Sequence, residues 1–243
     1  MVLPTDELHV WYAELDRGEV AVRDLRWLLS ADEHDRADRF RFERDRARFT
    51  VARGIVRILL GRYLDQPPAA VRFEYGPQGK PRLAGPGPWF NISHSAGVAL
   101  FGFSSRAELG VDIELERVEV EHERLAQRFF SPSEVEAVQA LPESLRPLAF
   151  LTCWTRKEAF VKARGDGLSL ALDSFDVTLE PGQPAVVIRT AWSSAEPAQW
   201  SLRDLSDRER GYVAAVAVRA TGWQLIRRRV PDIIDAELIG TED

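Results

Sequence analysis

Two carboxylates alternate with apolar residues between Leu109 and Leu115, and this spacing indicates a cation site. Apolar residues at every second position predict a β-strand, which puts Asp112 and Glu114 on one face, about 6–7 Å apart. Carboxylates on the same face repel each other unless a positive charge lies between them. Mg²⁺ fits such a place, because it prefers octahedral oxygen ligands and commonly takes one or two protein carboxylates. The alternative is the solvated face of an amphipathic strand.

A third carboxylate, Glu158, lies in a segment that predicts a helix over residues 147–165. Three apolar residues at helical spacing predict a core-facing stripe, and Glu158 takes the remaining position of that stripe. They are Leu151, Trp154 and Val161. A buried carboxylate needs a compensating cation, which is either a metal ion or Lys162, one turn further on. The alternative is a glutamate at the rim of the core that pairs with Lys162 alone.

Arginines are concentrated between residues 35 and 62, where nine of them stand against four acids. A helix is predicted over residues 45–64, and Arg44, Arg48 and Arg53 fall mainly outside its apolar stripe. A capping box at residues 30–33 predicts a shorter helix before it. The arginines are either solvated flanking residues or part of an anion site, and the interleaved acids argue against an RNA-binding arm. The nine are Arg36, Arg39, Arg41, Arg44, Arg46, Arg48, Arg53, Arg57 and Arg62.

Residues 71–103 predict short strands separated by turns rich in glycine and proline. A strand is expected over residues 71–75, and a hairpin is expected from residues 89–93 and 98–103. Ser93 and His94 begin the turn of this hairpin, where a hydroxyl, an imidazole and free N–H groups can hold a phosphate oxygen. An ordinary polar turn is the alternative.

Composition sets the broad class of the protein. The 243 residues, 45% of them hydrophobic, supply the core of one large domain or of two smaller ones. The net charge of −6 argues against a general binder of nucleic acid or anionic membranes, and no run of eighteen apolar residues occurs. The single cysteine, Cys153, is expected to be a buried thiol and not a nucleophile. We expect a soluble cytoplasmic protein.

Five segments, taken together and in their order, resemble the 4′-phosphopantetheinyl transferases of the Sfp type. The resemblance runs from about residue 30 to residue 179, and each segment by itself is a weak signal. The segments are Gly79-Lys80-Pro81, Phe90-Asn91-Ile92-Ser93-His94-Ser95, Gly110-Val111-Asp112-Ile113-Glu114, Arg128-Phe129-Phe130-Ser131 and Trp154-x-x-Lys157-Glu158-Ala159-x-x-Lys162.

This resemblance implies an α+β fold of two similar α/β subdomains in a pseudo-twofold arrangement, with the active site in the cleft between them. The subdomains would span residues 1–106 and 107–225, and residues 226–243 would form a tail. The implied activity moves the phosphopantetheine arm of coenzyme A to a serine hydroxyl of an acyl or peptidyl carrier protein. The reaction would require Mg²⁺ and release adenosine 3′,5′-bisphosphate, and the enzyme would act as a monomer.

The resemblance also implies roles for individual residues. The metal ligands would be Asp112, Glu114 and Glu158, and the catalytic residues would be Glu158, Lys162 and Lys157. Coenzyme A would be bound by Arg36, Arg48, Lys80, Ser93, His94, Lys157 and Lys162. Glu33 departs from the family, because some members carry a basic residue near this position, close to the 3′-phosphate.

The rest of the sequence adds elements but no further chemistry. A capping box predicts a helix that begins after Ser131, and residues 124–130 would face the acidic helix of a carrier or pack their phenylalanines inside. Antiparallel strands are expected over residues 175–179, 185–189 and 212–218. A binding protein without catalysis and a magnesium-dependent phosphohydrolase are the competing functions.

Overall fold

The computed structural model describes residues 1–76, 79–116, 121–165 and 167–230, with the backbone alone at position 168. The helices of these residues are α1 (Glu19–Arg26), α2 (Ala31–Asp38), α3 (Glu43–Leu64), α4 (His122–Phe129), α5 (Pro132–Ala140) and α6 (Arg146–Arg164). The strands are β1 (Glu7–Glu14), β2 (Phe73–Tyr75), β3 (Pro81–Leu83), β4 (Trp89–Ser95), β5 (Val98–Ser104), β6 (Leu109–Leu115), β7 (Phe175–Val177), β8 (Val187–Thr190), β9 (Ser201–Asp204), β10 (Tyr212–Val218) and β11 (Gln224–Arg229).

The order of elements repeats within the chain. A strand, three helices and four strands run from β1 to β5, and the same series runs from β6 to β10. The pairings repeat as well, since β1 pairs with β5 and β6 pairs with β10, and each half adds a small two-stranded sheet. The fold of two similar α/β subdomains, expected from the family resemblance, is therefore confirmed in topology.

The two main sheets pack against each other, and a long helix covers the outer face of each. Strand alternation sends Leu8 and Val10 of β1 and Val111 and Ile113 of β6 into the core between the sheets. The other face of β1 packs under α3. Strand β10 presents Ala215 and the residues two positions to either side of it to α6. The sheet orders are β11-β1-β5-β4 and β6-β10-β9.

The last described strand returns to the first subdomain. Strand β11 pairs in parallel with β1, with Gln224 opposite Glu7 and Arg229 opposite Tyr12. The boundary predicted between residues 225 and 226 is therefore wrong, because it cuts a strand of the first sheet. No role follows from the sequence for Arg227 and its neighbours, whereas in the structure they belong to an edge strand of the first sheet. Residues 231–243 of the predicted tail lie outside the described part of the chain.

Local signals placed the helix ends well. Both serine capping boxes form, at Ser30 before α2 and at Ser131 before α5. Helix α6 ends at Gly165, whose φ of 79° is the left-handed conformation that favours glycine. Strands β3, β9 and β11 were not predicted. Strands β3 and β9 are short, and β11 pairs with β1, a strand distant from it in sequence. No helix in the described residues is both long and apolar enough to cross a membrane.

Candidate active site

Helix α6 lies directly against strand β6 because Gly110 has no side chain. A methyl group at this position would come 2.5 Å from the backbone nitrogen of Ala163 and closer still to the carbonyl oxygen of Ala159. Real side chains do not tolerate such distances. The close approach brings Lys162 of α6 within reach of Asp112, two residues further along β6.

Lys162 and Asp112 form an ion pair at the centre of the predicted site. The ammonium nitrogen lies 2.5 Å from Asp112 Oδ1 and 3.1 Å from Ser93 Oγ. Ser93 in turn donates a hydrogen bond of 2.9 Å to the same carboxylate oxygen. The side chain of Asp112 is 5% exposed and that of Lys162 is 28% exposed, so the ammonium group closes the solvent side of a buried carboxylate.

The three predicted metal-binding acids lie within electrostatic range of one another. Partial burial raises the pKa of Glu158, the charges of Asp112 and Glu114 raise it further, and Lys162 lowers it. Glu114 accepts a 2.7 Å hydrogen bond from Ser95 Oγ. Two strand residues and one helix residue, distant in sequence, thus share one charged region.

Glu158 does not lie in a core-facing stripe, contrary to the sequence prediction. Helix α6 is buried around most of its circumference, and in its second half the half-buried residues are Trp154, Glu158 and Lys162 together with Arg164. The first three are successive i+4 neighbours and form the open face of the helix. Periodicity failed here because an almost fully buried helix has apolar residues on every side.

The acids fit a divalent cation in chemistry, although the described residues hold no ready-made group of three His, Cys, Asp or Glu ligands. Oδ2 of Asp112 is buried and has no hydrogen-bond partner among the described residues. A buried carboxylate oxygen without a donor is costly, and a hard cation would satisfy it. Glu158 and Glu114 supply further oxygens of the kind that Mg²⁺ prefers.

Basic side chains flank the acids on the side of the hairpin turn. Partial loss of hydration lowers the pKa of His94, the charges of Lys162 and Arg48 lower it further, and Asp112 raises it. Arg48 is held by Asp16 through two hydrogen bonds of 2.6 and 2.8 Å. Three basic groups from α3, β4 and α6 therefore converge here, which is an arrangement that suits phosphate.

Lys80 approaches the same region from the loop before β3. Its ammonium nitrogen donates to the carbonyl oxygen of Lys162 at 2.7 Å and lies 3.6 Å from a carboxylate oxygen of Glu108. Burial lowers the pKa of Lys80, with Glu108 raising it and Lys162 lowering it. A cleft of about 700 Å³ opens beside Lys80, bordered by Trp89 and Arg164. Pro77 and Gln78 of the preceding predicted turn lie outside the described residues.

Lys157 lies in the core of the second subdomain and not in the charged region. Its side chain is fully buried, 2.7 Å from Glu134 Oε2, and donates to the backbone oxygens of Leu172 and Phe175. The ammonium group is thereby satisfied inside the protein. We assign Lys157 a structural role in place of the predicted catalytic and coenzyme-binding ones. Sequence alone could not separate it from Lys162, since both flank Glu158.

The structure also gives the surroundings of Glu33 and Arg36 in the first subdomain. Glu33 is buried between Arg53 and Arg57, at 3.0 and 2.6 Å, so it holds α2 against α3 and does not occupy a phosphate-binding position. Arg36 lies on the exposed side of α2 with its guanidinium 5.4 Å from the ring centre of Phe49. Its contact with a coenzyme stays a prediction.

Known protein families match both halves of the chain. The model of the 4′-phosphopantetheinyl transferase superfamily matches residues 108–217, and that of the N-terminal region of such transferases matches residues 20–102. The 4′-phosphopantetheinyl transferase HetI of Nostoc sp. is 42% identical over 228 residues, which is 92% of each chain. The chain belongs to the 4′-phosphopantetheinyl transferase superfamily. It is an enzyme of that class, as the sequence resemblance predicted.

Two further relatives of this phosphopantetheinyl transferase agree. A putative transferase of Synechocystis sp. is 40% identical and covers 68% of this chain and 67% of its own. The transferase Sfp of Bacillus subtilis is 33% identical and covers 65% of this chain and 70% of its own. The solved holo-acyl-carrier-protein synthase (AcpS) of Thermotoga maritima covers 47% of this chain and 64% of its own, with a TM-score of 0.36 and 23% identity.

Sequence reasoning missed two residues of the site, Gly110 and Ser95. Gly110 lies within a family motif, but the sequence indicates no role for it, because its function depends on a helix some fifty residues later in the chain. Ser95 follows Ser93 with the same two-residue spacing that separates Asp112 from Glu114. That matched alternation is the signal that could have revealed it.

Proposed function

We propose that the enzyme transfers the phosphopantetheine group of coenzyme A to a serine hydroxyl of an acyl or peptidyl carrier protein. The arrangement of Asp112, Glu158 and Lys162 beside a basic surface carries this proposal. The acids suit a cation that neutralises a pyrophosphate, and Lys162 supplies a positive charge next to them. Phosphoryl transfer depends mainly on such positioning and charge neutralisation.

Mg²⁺ would be held by Asp112, Glu158 and Glu114. Bound there, it would neutralise the negative charge of the pyrophosphate. Lys162 now pairs with Asp112, and a cation at that carboxylate would release the ammonium group toward the substrate. Ser93 would stay on Asp112 and keep the carboxylate oriented.

In the reaction, the carrier serine oxygen forms a bond to the phosphorus that bears the pantetheine arm. The bond between this phosphorus and the oxygen bridging to the adenosine phosphate breaks, and adenosine 3′,5′-bisphosphate leaves. Glu158 accepts the serine proton, directly or through a water molecule. Lys162 stabilises the charge that develops on the leaving oxygen.

The basic groups that flank the acids would bind the parts of coenzyme A beyond the pyrophosphate. Arg48 and His94 would hold the 3′-phosphate, with Arg36 reaching it from α2. Lys80 would contact the coenzyme from its loop, next to the cleft bordered by Trp89. Ser93 would share its hydroxyl between Asp112 and the substrate.

The carrier would approach α4. Arg124 and Arg128 are exposed there, and basic residues suit an acidic recognition helix. Phe130 does not contribute to this surface, because it is 4% exposed and stacks on Phe150. We further propose that the enzyme is a cytoplasmic monomer without nucleic-acid or membrane partners, in keeping with its acidic composition and its two internally paired sheets.

The decisive experiment combines the enzyme, coenzyme A, Mg²⁺ and an apo carrier protein and weighs the carrier by mass spectrometry. A phosphopantetheine adduct on the carrier supports the proposal. Coenzyme cleavage without an adduct would indicate a hydrolase, and neither product would indicate a binding protein. Asp112→Ala should abolish the adduct at any Mg²⁺ concentration, and activity within a few-fold of wild type would refute the metal assignment.

A further inference from the structure

The two main sheets meet along a seam in which side chains of β4 replace backbone carbonyls. Three oxygens at alternate positions of β4 accept hydrogen bonds from three backbone N–H groups at alternate positions of β6. The pairs are Asn91 Oδ1 with Val111 at 2.9 Å, Ser93 Oγ with Ile113 at 3.4 Å and Ser95 Oγ with Leu115 at 3.3 Å.

This seam supplies hydrogen-bond acceptors to N–H groups of β6 that the sheets leave unpaired. Strands β4 and β6 are edge strands of different sheets, and the outward N–H groups of β6 have no neighbouring strand to pair with. Buried N–H groups without acceptors are costly, so a side-chain acceptor is required at every second residue. The alternation of Asn91, Ser93 and Ser95 meets that need because strand side chains point to one face with a period of two.

Two of the three seam residues also contact the acids. Ser93 donates to Asp112 at 2.9 Å, and Ser95 donates to Glu114 at 2.7 Å. A serine hydroxyl has one proton, and the N–H group of Leu115 occupies an acceptor site of Ser95. The proton of Ser95 is therefore directed at Glu114. Among the described contacts, Asn91 accepts from Val111 and donates to neither acid.

We propose that Ser95 is a positioning residue that holds Glu114 in the orientation required for cation binding. The seam thereby ties the geometry of the cation site in the second subdomain to a strand of the first. This inference rests on the proposed function in one respect, namely that the acids bind Mg²⁺. Ser95 is a clearer case than Ser93, because Ser93 is also a proposed coenzyme contact.

The test compares Ser95→Ala, Ser95→Thr and Asn91→Ala with the wild type. Calorimetric titration with Mg²⁺ alone measures cation affinity, and carrier modification at varied Mg²⁺ measures the concentration for half-maximal rate. Ser95→Ala should weaken Mg²⁺ binding by about tenfold, a typical loss when a partner of a metal ligand is removed. Ser95→Thr keeps the hydroxyl and should restore the affinity. Asn91→Ala breaks the same seam and should lower the Tm while leaving Mg²⁺ affinity unchanged.

A double variant separates orientation of the acid from general loosening of the fold. Glu114→Gln should weaken Mg²⁺ binding, and adding Ser95→Ala to it should weaken binding no further if Ser95 acts through Glu114. Equal losses of Mg²⁺ affinity in Ser95→Ala and Asn91→Ala, or fully additive losses in the double variant, would overturn the inference. If Ser95→Ala unfolds, the Mg²⁺ affinities of Ser95→Thr and Ser95→Cys are compared instead. A thiol is a weaker hydrogen-bond donor than a hydroxyl, so Ser95→Cys should bind Mg²⁺ more weakly than Ser95→Thr.

The outcome is separable from that of the proposed function. Absence of carrier modification by the wild type would count against the transferase proposal alone, because the calorimetric comparison needs neither coenzyme nor carrier. Tight Mg²⁺ binding that depends on Ser95 would then still support the positioning role. Transfer that proceeds with no measurable Mg²⁺ binding would overturn the positioning role alone.

Discussion

Gly110 of β6 lies in van der Waals contact with the backbone of α6, and a methyl group in its place would come 2.5 Å from the nitrogen of Ala163. The glycine is needed for this approach and not for an unusual backbone conformation. Asp112 and Lys162 meet because these two elements touch. The ion pair at the centre of the site therefore depends on the absence of a Cβ atom at Gly110.

Gly110→Ala should push α6 away from β6 and lose transferase activity. Overpacking of this kind typically costs about 1–3 kcal/mol of stability, and the obstacle here is rigid backbone. Denaturant unfolding measures the free energy, and the carrier assay measures the rate. Gly85→Ala is the matched control, since its added methyl group would meet open space and should leave the free energy unchanged. A stable, active Gly110→Ala enzyme would contradict this view of the site.

Replacement by methionine should affect mainly the stability at Lys157 and mainly the transfer rate at Lys162. Lys157→Met leaves Glu134 buried without its cation, which should cost about 3–5 kcal/mol of stability. Lys162→Met also removes the cation beside a buried carboxylate, Asp112, so it should cost some stability. Its main effect should be loss of carrier modification per folded molecule, because the lost charge stabilises the leaving group. Urea unfolding and the initial rate per folded molecule separate the two effects. Loss of rate without loss of stability in Lys157→Met would restore its catalytic assignment.

Arg48 and His94 should distinguish coenzyme A from dephospho-coenzyme A, which lacks the 3′-phosphate. If they hold that phosphate, Arg48→Ala and His94→Ala should raise the KM for coenzyme A with little effect on kcat. Each contact should be worth about 1.5–3 kcal/mol, or about 10-fold to 100-fold in KM. The KM for dephospho-coenzyme A should change little. Equal increases for both substrates would place the 3′-phosphate elsewhere.

His122 should make the protein sensitive to mild acid. Its imidazole packs on Phe150, its Nε2 lacks a hydrogen-bond partner among the described residues, and burial lowers its pKa from the ordinary 6.5. The imidazole therefore binds a proton more readily in the unfolded chain than in the folded protein. The free energy of unfolding should be unaffected by this group above about pH 6.5 and should fall as the pH drops through the lowered pKa of the folded protein. His122→Phe removes the titrating group, so its free energy of unfolding should fall less as the pH drops. Urea unfolding between pH 8 and pH 5 compares the two proteins, and parallel losses would contradict the prediction.

Much of the local structure followed from the sequence because its signals act over a few residues. The alternation around Asp112 predicted β6, and the capping boxes at Ser30 and Ser131 fixed two helix starts. The motifs from Lys80 to Lys162, read in order, predicted the family that the relatives confirm. Those inferences needed no knowledge of which elements touch.

The relation between elements was decided in three dimensions. Apolar spacing put Glu158 in a core-facing stripe, and the family resemblance put Lys157 in the site. In the structure Glu158 lies on the open face of α6 and Lys157 lies in the core. Helix α6 is surrounded on most sides, so its one open face cannot be read from apolar periodicity. Strand β11 joined the first sheet through pairing with β1, a contact between the two ends of the chain.

By itself, the sequence determined which residue types could bind a cation and phosphate, because alternation in a strand and turns of a helix are short-range geometry. Tertiary structure decided which of them meet. The approach of α6 at Gly110 brings Lys162 to Asp112, and the hydroxyls of Ser93 and Ser95 bond to Asp112 and Glu114. Both features depend on packing between segments far apart in the chain. Such packing is a property of the whole core, and no short window of residues specifies it.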